Sequence, residues 1–300
     1  MLPVREKIPH VVVRILFTKT GDLQYISHLD LHRAFTRMLV RAGVPLWYSE
    51  GYSPHPRLAF ATPLSVGAES EYELVDVNIV GDAETLNPAA LFALLRDTHI
   101  PGLTVKDLYL PTRPFSAITH ADYTLRFRTA GADAALAAHC AEALASSPLV
   151  VLKRTKKGER DVDISSQIRS VRAAFENGEV VIRARLAADS ANFLNPEYLV
   201  KILRGAGLVM CGNPIEEEYS ILRTAVYSGR YPVPISEVDD EKTAFALSVH
   251  AALPCRLRRN AAARDHAARD VGDERGDHRH RGTAARGRAD AVSFFVHRRG

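Results

Sequence analysis

The chain has 300 residues, enough for two ordinary domains, and its 46% hydrophobic and 25% charged content is that of a globular protein. Its apolar runs are only a few residues long, as in Leu149–Leu152, and the first ten residues carry Pro3, Arg5 and Lys7 rather than an apolar core; no transmembrane helix and no signal peptide is expected. Cys140, Cys211 and Cys255 stand far apart without a CxxC pair, which excludes a zinc ribbon, a disulfide framework and a cluster held by closely spaced cysteines, and suits a reducing cytoplasm.

The formal net charge of +4 is unevenly placed. Residues 251–300 contain 12 Arg, no Lys and 6 acidic residues, which leaves 27 basic against 29 acidic residues in 1–250. The basicity therefore belongs to the tail, and in the body only local clustering of cations speaks for an acidic partner. From about Ala251 the alphabet is Arg, Ala, Asp, His and Gly with no period of 2 or 3.6, so this segment (250–300) is expected to be disordered. An arginine-rich arm that folds on RNA is one reading of it. A disordered extension, or an out-of-frame translation of GC-rich DNA, fits twelve arginines without a lysine better, and no site is placed there.

In chain order, His10–Lys19 is β-branched and strand-like. A helix follows, with Ser27 as N-cap, Asp30 completing a capping box, and Gly43 and Pro45 beyond its end. Leu31, Phe35, Met38 and Ala42 form its apolar stripe. Arg57–Leu64 and Tyr72–Val80 read as strands, Asn87-Pro88 opens a second helix, and Leu103–Leu110 is a closing strand. The order βαββαβ predicts a ferredoxin-like half over 10–112. A linker near Pro111–His120 leads to a second half over 120–228. There Asp122–Thr129 is a strand, Asp133–Ala145 a helix, Pro148–Arg154 and Arg160–Ile164 a hairpin turning at Lys157-Gly158, and Asn177-Gly178 the turn of another hairpin. Leu194-Asn195-Pro196 repeats Leu86-Asn87-Pro88 as a helix opening, and Glu218–Tyr227 is the last strand. The expected fold is α+β, two ferredoxin-like halves in tandem, with internal duplication implied by the shared tripeptide.

Polar residues crowd between Lys19 and Arg57. Lys19, His28, His32, His55 and Arg57 are of the types that bind phosphate or move protons, and Tyr48 and Tyr52 of the type that stacks on bases. Folding alone accounts for several neighbours: Gly21 and Asp22 for a turn, Ser27 and Asp30 for the cap, and Gly51, Pro54 and Pro56 for a stiff loop. The K-T-G-D run lacks the upstream glycines of a phosphate loop, so no nucleotide site is expected. His28, Asp30 and His55 are a conceivable metal set, but no metal site is assigned. Arg33, Arg37 and Arg41 recur at i, i+4, i+8 away from the apolar stripe, a spacing that suits a solvated face or a phosphate backbone. Arg126, Arg128, Arg183 and Arg185 project opposite the apolar residues of their strands, which places them on an open sheet face of the kind that reads RNA.

The stretch VRILFTKTGDLQYISHLDLHRAFTRMLVRAGVPLWYSEGYSPHPRLAFATPLSVGAESEYELVDV closely resembles the start of the bacterial radical SAM-associated family, a domain of unknown function. The match includes the K-T-G-D-L turn, the I-S-H-L-D-L helix start, S-x-G-[FY]-x-P-H-P and P-L-x-x-G-x-x-S; Asp161–Ile164 and Ile221–Thr224 extend it, to roughly residues 10–228. The resemblance implies a radical SAM protein as partner. The iron–sulfur cluster and S-adenosylmethionine would then sit on that partner, with no cofactor on this chain. The expectation is a non-catalytic accessory module in the cytoplasm that presents structured RNA, its phosphates held by Lys19, Arg33, Arg37, Arg57 and the sheet arginines and its bases stacked on Tyr48 and Tyr52. The alternatives are a metal-independent RNA-processing enzyme, with His28 or His55 as general base and Lys19 as electrostatic stabiliser, and a protein–protein scaffold.

Overall fold

The computed structural model describes residues 8–228 except 99, 156 and 157 and the side chains of 154 and 155, together with the backbone of Val233–Pro234. The chain divides into two units, Met1–Ala251 and Ala252–Gly300. The second, and with it the expectation of a disordered tail, lies outside the described residues. Among the described residues no helix is long and apolar enough to cross a membrane.

The β-branched run of His10–Lys19 forms strand β1, and α1 (His28–Arg41), β2 (Leu58–Phe60), β3 (Ala68–Val80), α2 (Pro88–Arg96) and β4 (Val105–Tyr109) follow. β1 lies antiparallel between β4 and β3, and β2 adds to the far edge of β3, giving the order β4-β1-β3-β2. Every second residue of β1 and β3 (Val13, Ile15 and Phe17; Val75, Val77 and Ile79) joins one core with Leu31, Phe35, Met38 and Leu39 of α1 and Leu91 and Leu95 of α2. α1 begins at Ser27, whose Oγ accepts from the Asp30 amide at 3.1 Å. The return bond differs from a capping box: the Ser27 hydroxyl itself donates to Asp30 Oδ2 at 2.7 Å. β2 is shorter than the stretch 57–64 because Pro63 has no amide to offer a ladder. β3 starts four residues before Tyr72, since Ala68–Ser70 find a partner 153 residues away in the chain.

The second half runs β5 (Ile118–Arg128), α3 (Ala134–Ala145), β6 (Val150–Thr155), β7 (Gly158–Asp163), β8 (Ile168–Glu176), β9 (Glu179–Ala187), α4 (Glu197–Gly205) and β10 (Glu218–Ser228), with a short β11 (Val233–Pro234) against β10. Its order is β10-β5-β9-β8, and β6 and β7 form a separate two-stranded sheet. Asn177 and Gly178 both take positive φ, 51° and 85°, as the tight β8–β9 turn requires. The two L-N-P openings are not equivalent. Asn87 caps α2 directly, accepting from Ala90 N at 3.1 Å, whereas α4 begins one residue later and Asn195 accepts from Glu197 N at 3.1 Å. The duplicated tripeptide thus supports helix starts of two different geometries.

The halves join through a parallel pairing of β3 with β10, in which Ala68, Glu69 and Ser70 face Ile221, Leu222 and Arg223. The result is one mixed α+β sheet ordered β4-β1-β3-β10-β5-β9-β8. Lys19, Ser70, Arg223 and Tyr123 are successive cross-strand partners, so they form one transverse row on one face of the sheet. Arg223 is buried and donates to Glu73, Thr62 and Ser70. Leu16 and Leu74 of the first half enter the second half's core beside Tyr123 and Leu125, so apolar burial crosses the seam as well.

Candidate nucleic-acid interface

The loop between α1 and β2 is fixed by backbone bonds rather than left free. Trp47 N donates to Asn78 O at 2.9 Å, Asn78 N donates to Arg57 O at 3.1 Å, and Tyr48 bridges to Pro56. The Ser49 amide donates to His55 O at 2.9 Å, and Ser49 Oγ accepts from the His55 amide at 3.2 Å and lies 3.1 Å from His55 Nδ1. Gly51, with φ near 132°, turns the tip, and Pro54 and Pro56 flank His55. This stiffened loop holds Tyr48 and Tyr52 at the surface, 45% and 107% exposed.

Phe60 of β2 is the hub between this loop and α1. Its ring meets His28 edge-on at 5.2 Å, His32 at 5.9 Å, and Phe35 and Phe17 from below at 5.9 and 6.1 Å. His28 and His32 are one helical turn apart and so share the side of α1 that looks at Phe60. Burial lowers the His32 pKa from its ordinary value, and the nearby His28 and His55 lower it further. His28 and His32 therefore flank Phe60 together, with His55 near enough for its charge to act on His32, a proximity that the sequence did not establish. Asp30 is turned to Ser27 and Arg33, and among the described residues no group of three or more His, Cys, Asp or Glu is placed to hold a metal.

Lys19 is placed differently from the expected phosphate pocket. It is 2% exposed and its Nζ donates to Gln24 O at 3.2 Å. Burial lowers its pKa, while the Glu73 carboxylate pushes it back up. The chain turns inward here because Lys19 ends β1 beside the β3–β10 seam, so its charge answers Glu73 rather than a surface ligand. At the N-terminus of α1 the Asp30 carboxylate occupies the place an anion would take, with its pKa lowered chiefly by the Ser27 hydroxyl. Gly21 adopts a positive φ of 60° at the start of a 3-10 turn over Gly21–Tyr25 that includes Asp22, and its amide donates to Glu69 at 2.6 Å.

The sheet arginines are neutralised where they stand. Arg185 makes a bidentate pair with Asp122 at 2.7 and 2.8 Å and lies over the Tyr227 ring, and Arg183 makes a bidentate pair with Glu176 at 2.7 and 2.8 Å. Arg128 pairs with Glu218 at 2.9 Å, and Arg126 and Arg128 share Glu179 at 3.6 and 3.8 Å. Arg33 pairs with Asp30 at 3.2 Å. In contrast Arg37, Arg41 and Arg57 are exposed and have no ion-pair partner among the described residues. The residues that sequence reasoning missed are Phe60, Glu73 and Arg223. Phe60 follows Arg57 by only three positions, but Glu73 and Arg223 are 150 residues apart and no spacing links them.

The fold and this surface define a mixed α+β protein, largely sheet, with basic and aromatic side chains on its first half. The family described as "Uncharacterized protein conserved in bacteria (DUF2344)" matches residues 13–196, more than half of the chain, and the protein belongs to it. No curated protein matches. Among solved structures, a chain in "Crystal Structure of a Cbf5-Nop10-Gar1 Complex" is similar at 10% identity and TM-score 0.38 over 71% of this chain. The match spans about half, 48%, of that chain. "Crystal Structure of an Unknown Protein from Galdieria sulphuraria" is similar at 10% identity and TM-score 0.21 over 72% of this chain and 99% of that one. Both likenesses are too remote to assign a fold.

Proposed function

We propose that the protein is an accessory module of two tandem ferredoxin-like halves that binds structured RNA and presents it to a radical SAM enzyme on another chain, which brings the iron–sulfur cluster and S-adenosylmethionine. The orders β4-β1-β3-β2 and β10-β5-β9-β8 support the two-half reading. One observation carries the RNA reading: Arg37, Arg41 and Arg57 keep their charge free of carboxylates, on α1 and on the rigid loop that displays Tyr48 and Tyr52, while the sheet arginines are paired. Free guanidinium groups beside exposed aromatic rings are the equipment for phosphates and unstacked bases. Lys19 has no part in it, being buried.

The test is RNA recovered from the complex with the radical SAM partner, sequenced and rebound at several salt concentrations. Arg37→Ala and Arg57→Ala are expected to reduce the slope of log K against log salt by about one counterion each, and Arg183→Ala to leave it unchanged. Equal effects from all three variants would return the interface to the sheet face, and no effect from any would remove the RNA reading. His28 and His32 against Phe60, with His55 close enough for its charge to act on His32, favour one second reading, RNA cleavage by a histidine base. Cleavage by this chain alone, lost in His55→Ala with binding intact, would establish it.

A further inference from the structure

A second surface lies on the other half, between the β6–β7 hairpin and α4. β6 pairs only with β7 among the described residues, so its other edge presents unpaired backbone. Beside it opens a groove of about 760 Å³, lined by residues 148–152 on one wall and by Tyr198, Lys201 and Ile202 of α4 on the other. Val150 and Leu152 remain 54% and 56% exposed on the same strand, although Val151 between them is buried in the core. An alternating strand with apolar residues facing water and one bare edge is a template for another strand.

The two faces of the hairpin differ in charge: on one, Asp161 and Asp163 stand across the ladder from Leu152 and Val150, and on the other the charges are basic. Lys153 of β6 stands directly across the ladder from Arg160 of β7, an arrangement of like charges that a hairpin does not select for its own stability. Lys153 Nζ bonds the neutral Gln167 amide oxygen at 3.1 Å and lies 5.2 Å from the centre of the Tyr198 ring, and Lys201 Nζ lies at the same distance from that ring. None of these three cations has an ion-pair partner among the described residues, and the charged residues of the groove lining are Lys201 on α4 and Glu159 on β7. Two cations that converge on Tyr198, at one end of an apolar groove beside a free strand edge, match a chain with a backbone to pair and a carboxylate to offer.

We infer that this groove binds an extended acidic peptide of a partner protein, which adds to β6 as a third strand, packs apolar side chains against Val150, Leu152 and Ile202, and sets a carboxylate between Lys153 and Lys201. The inference does not depend on RNA binding by the first half, and either stands without the other. The test uses the full chain and a capped peptide of alternating Val and Glu, with the alternating Val and Lys peptide as control, read by amide exchange and by fluorescence anisotropy. Binding of the Glu peptide with at least tenfold added protection of the free-edge amides of Val150 and Leu152, weakened tenfold or more by Lys153→Glu with Lys201→Glu, supports the inference. Alternate N-methylation of the peptide on its pairing edge should abolish binding while methylation of the other edge does not, a readout that needs no protein variant. Equal binding of the Lys peptide, indifference to which edge is methylated, or protection of these amides by a single-stranded RNA oligonucleotide instead, would overturn it.

Discussion

Arg223 of β10 pairs with the Glu73 carboxylate, and Lys19 of β1, bonded itself to Gln24 O, feels the same carboxylate's charge across the strand that joins the halves. Two buried cations against one anion make Glu73 the member whose loss is least tolerable. Glu73→Gln is expected to destabilise the fold by roughly 3–5 kcal/mol, since it leaves both cations buried without compensation. Lys19→Met keeps the Arg223–Glu73 pair and fills similar volume, so it is expected to cost far less. Urea unfolding of the two variants measures the difference, and equal losses would mean that Lys19 is as necessary to the pair as Arg223.

His32 gives the stability a pH dependence with a definite sign. Its pKa is lowered by burial and then by His28 and His55, so the folded state disfavours the proton that the unfolded chain accepts near 6.5. The stabilising contribution is complete above that value and is lost as the pH falls below it through the lower, folded pKa. His120 is lowered too, by burial and then by Arg169 and Arg185. The Tm is therefore expected to fall on acidification from about pH 7 to pH 5. His32→Gln should make that fall shallower without removing it, because His120 remains; an unchanged profile would exonerate His32.

Ser27→Ala is expected to cost about 1 kcal/mol, the ordinary loss for an N-cap whose oxygen accepts an amide. The same change frees Asp30 from the hydroxyl that chiefly lowers its pKa, so the Asp30 carboxyl should titrate at higher pH in the variant. Thermal melts together with carboxyl-carbon NMR titration check both halves of the statement.

Cys140 and Cys211 should differ sharply in reactivity. Cys140 is buried on α3 and its pKa is pushed up to about 11 by burial, whereas Cys211 is exposed and its Sγ donates to Val209 O at 3.1 Å. Iodoacetamide at pH 8 is expected to modify Cys211 in the folded protein and Cys140 only after unfolding in urea. Peptide mapping by mass spectrometry reads the order, and early labelling of Cys140 would show that α3 opens.

The order of elements was legible because local signals were strong. Ser27, Asn87 and Asp133 each cap a helix where their sequence context says so, and Asn177-Gly178 turns the β8–β9 hairpin. The extent of β3 and the fate of Lys19 were not legible. Both depend on β10, and pairing between residues 153 positions apart leaves no periodicity to read. The arginines of β5 and β9 were placed opposite the core residues of their strands, but their neutralisation turns on cross-strand register, which puts Asp122 opposite Arg185. The three histidines were visible as a density of residues; the packing of Phe60 against His28 and His32 was not, because it depends on β2 docking beside α1.

The parallel seam also dictates when the molecule can be finished. β10 borders both β3 and β5, and among the described residues it is the last long strand to leave a ribosome. Until Glu218–Ser228 emerge, the β5 edge and the Ala68–Ser70 end of β3 have no strand to meet, while both helices of the first half are already synthesised. The nascent chain thus carries two bare edges through the translation of about a hundred residues, a window in which neighbouring chains on the same messenger present the same edges. Expression at lower temperature or with a holdase chaperone acts on that interval, and substitutions that speed local folding of either half alone do nothing to shorten it.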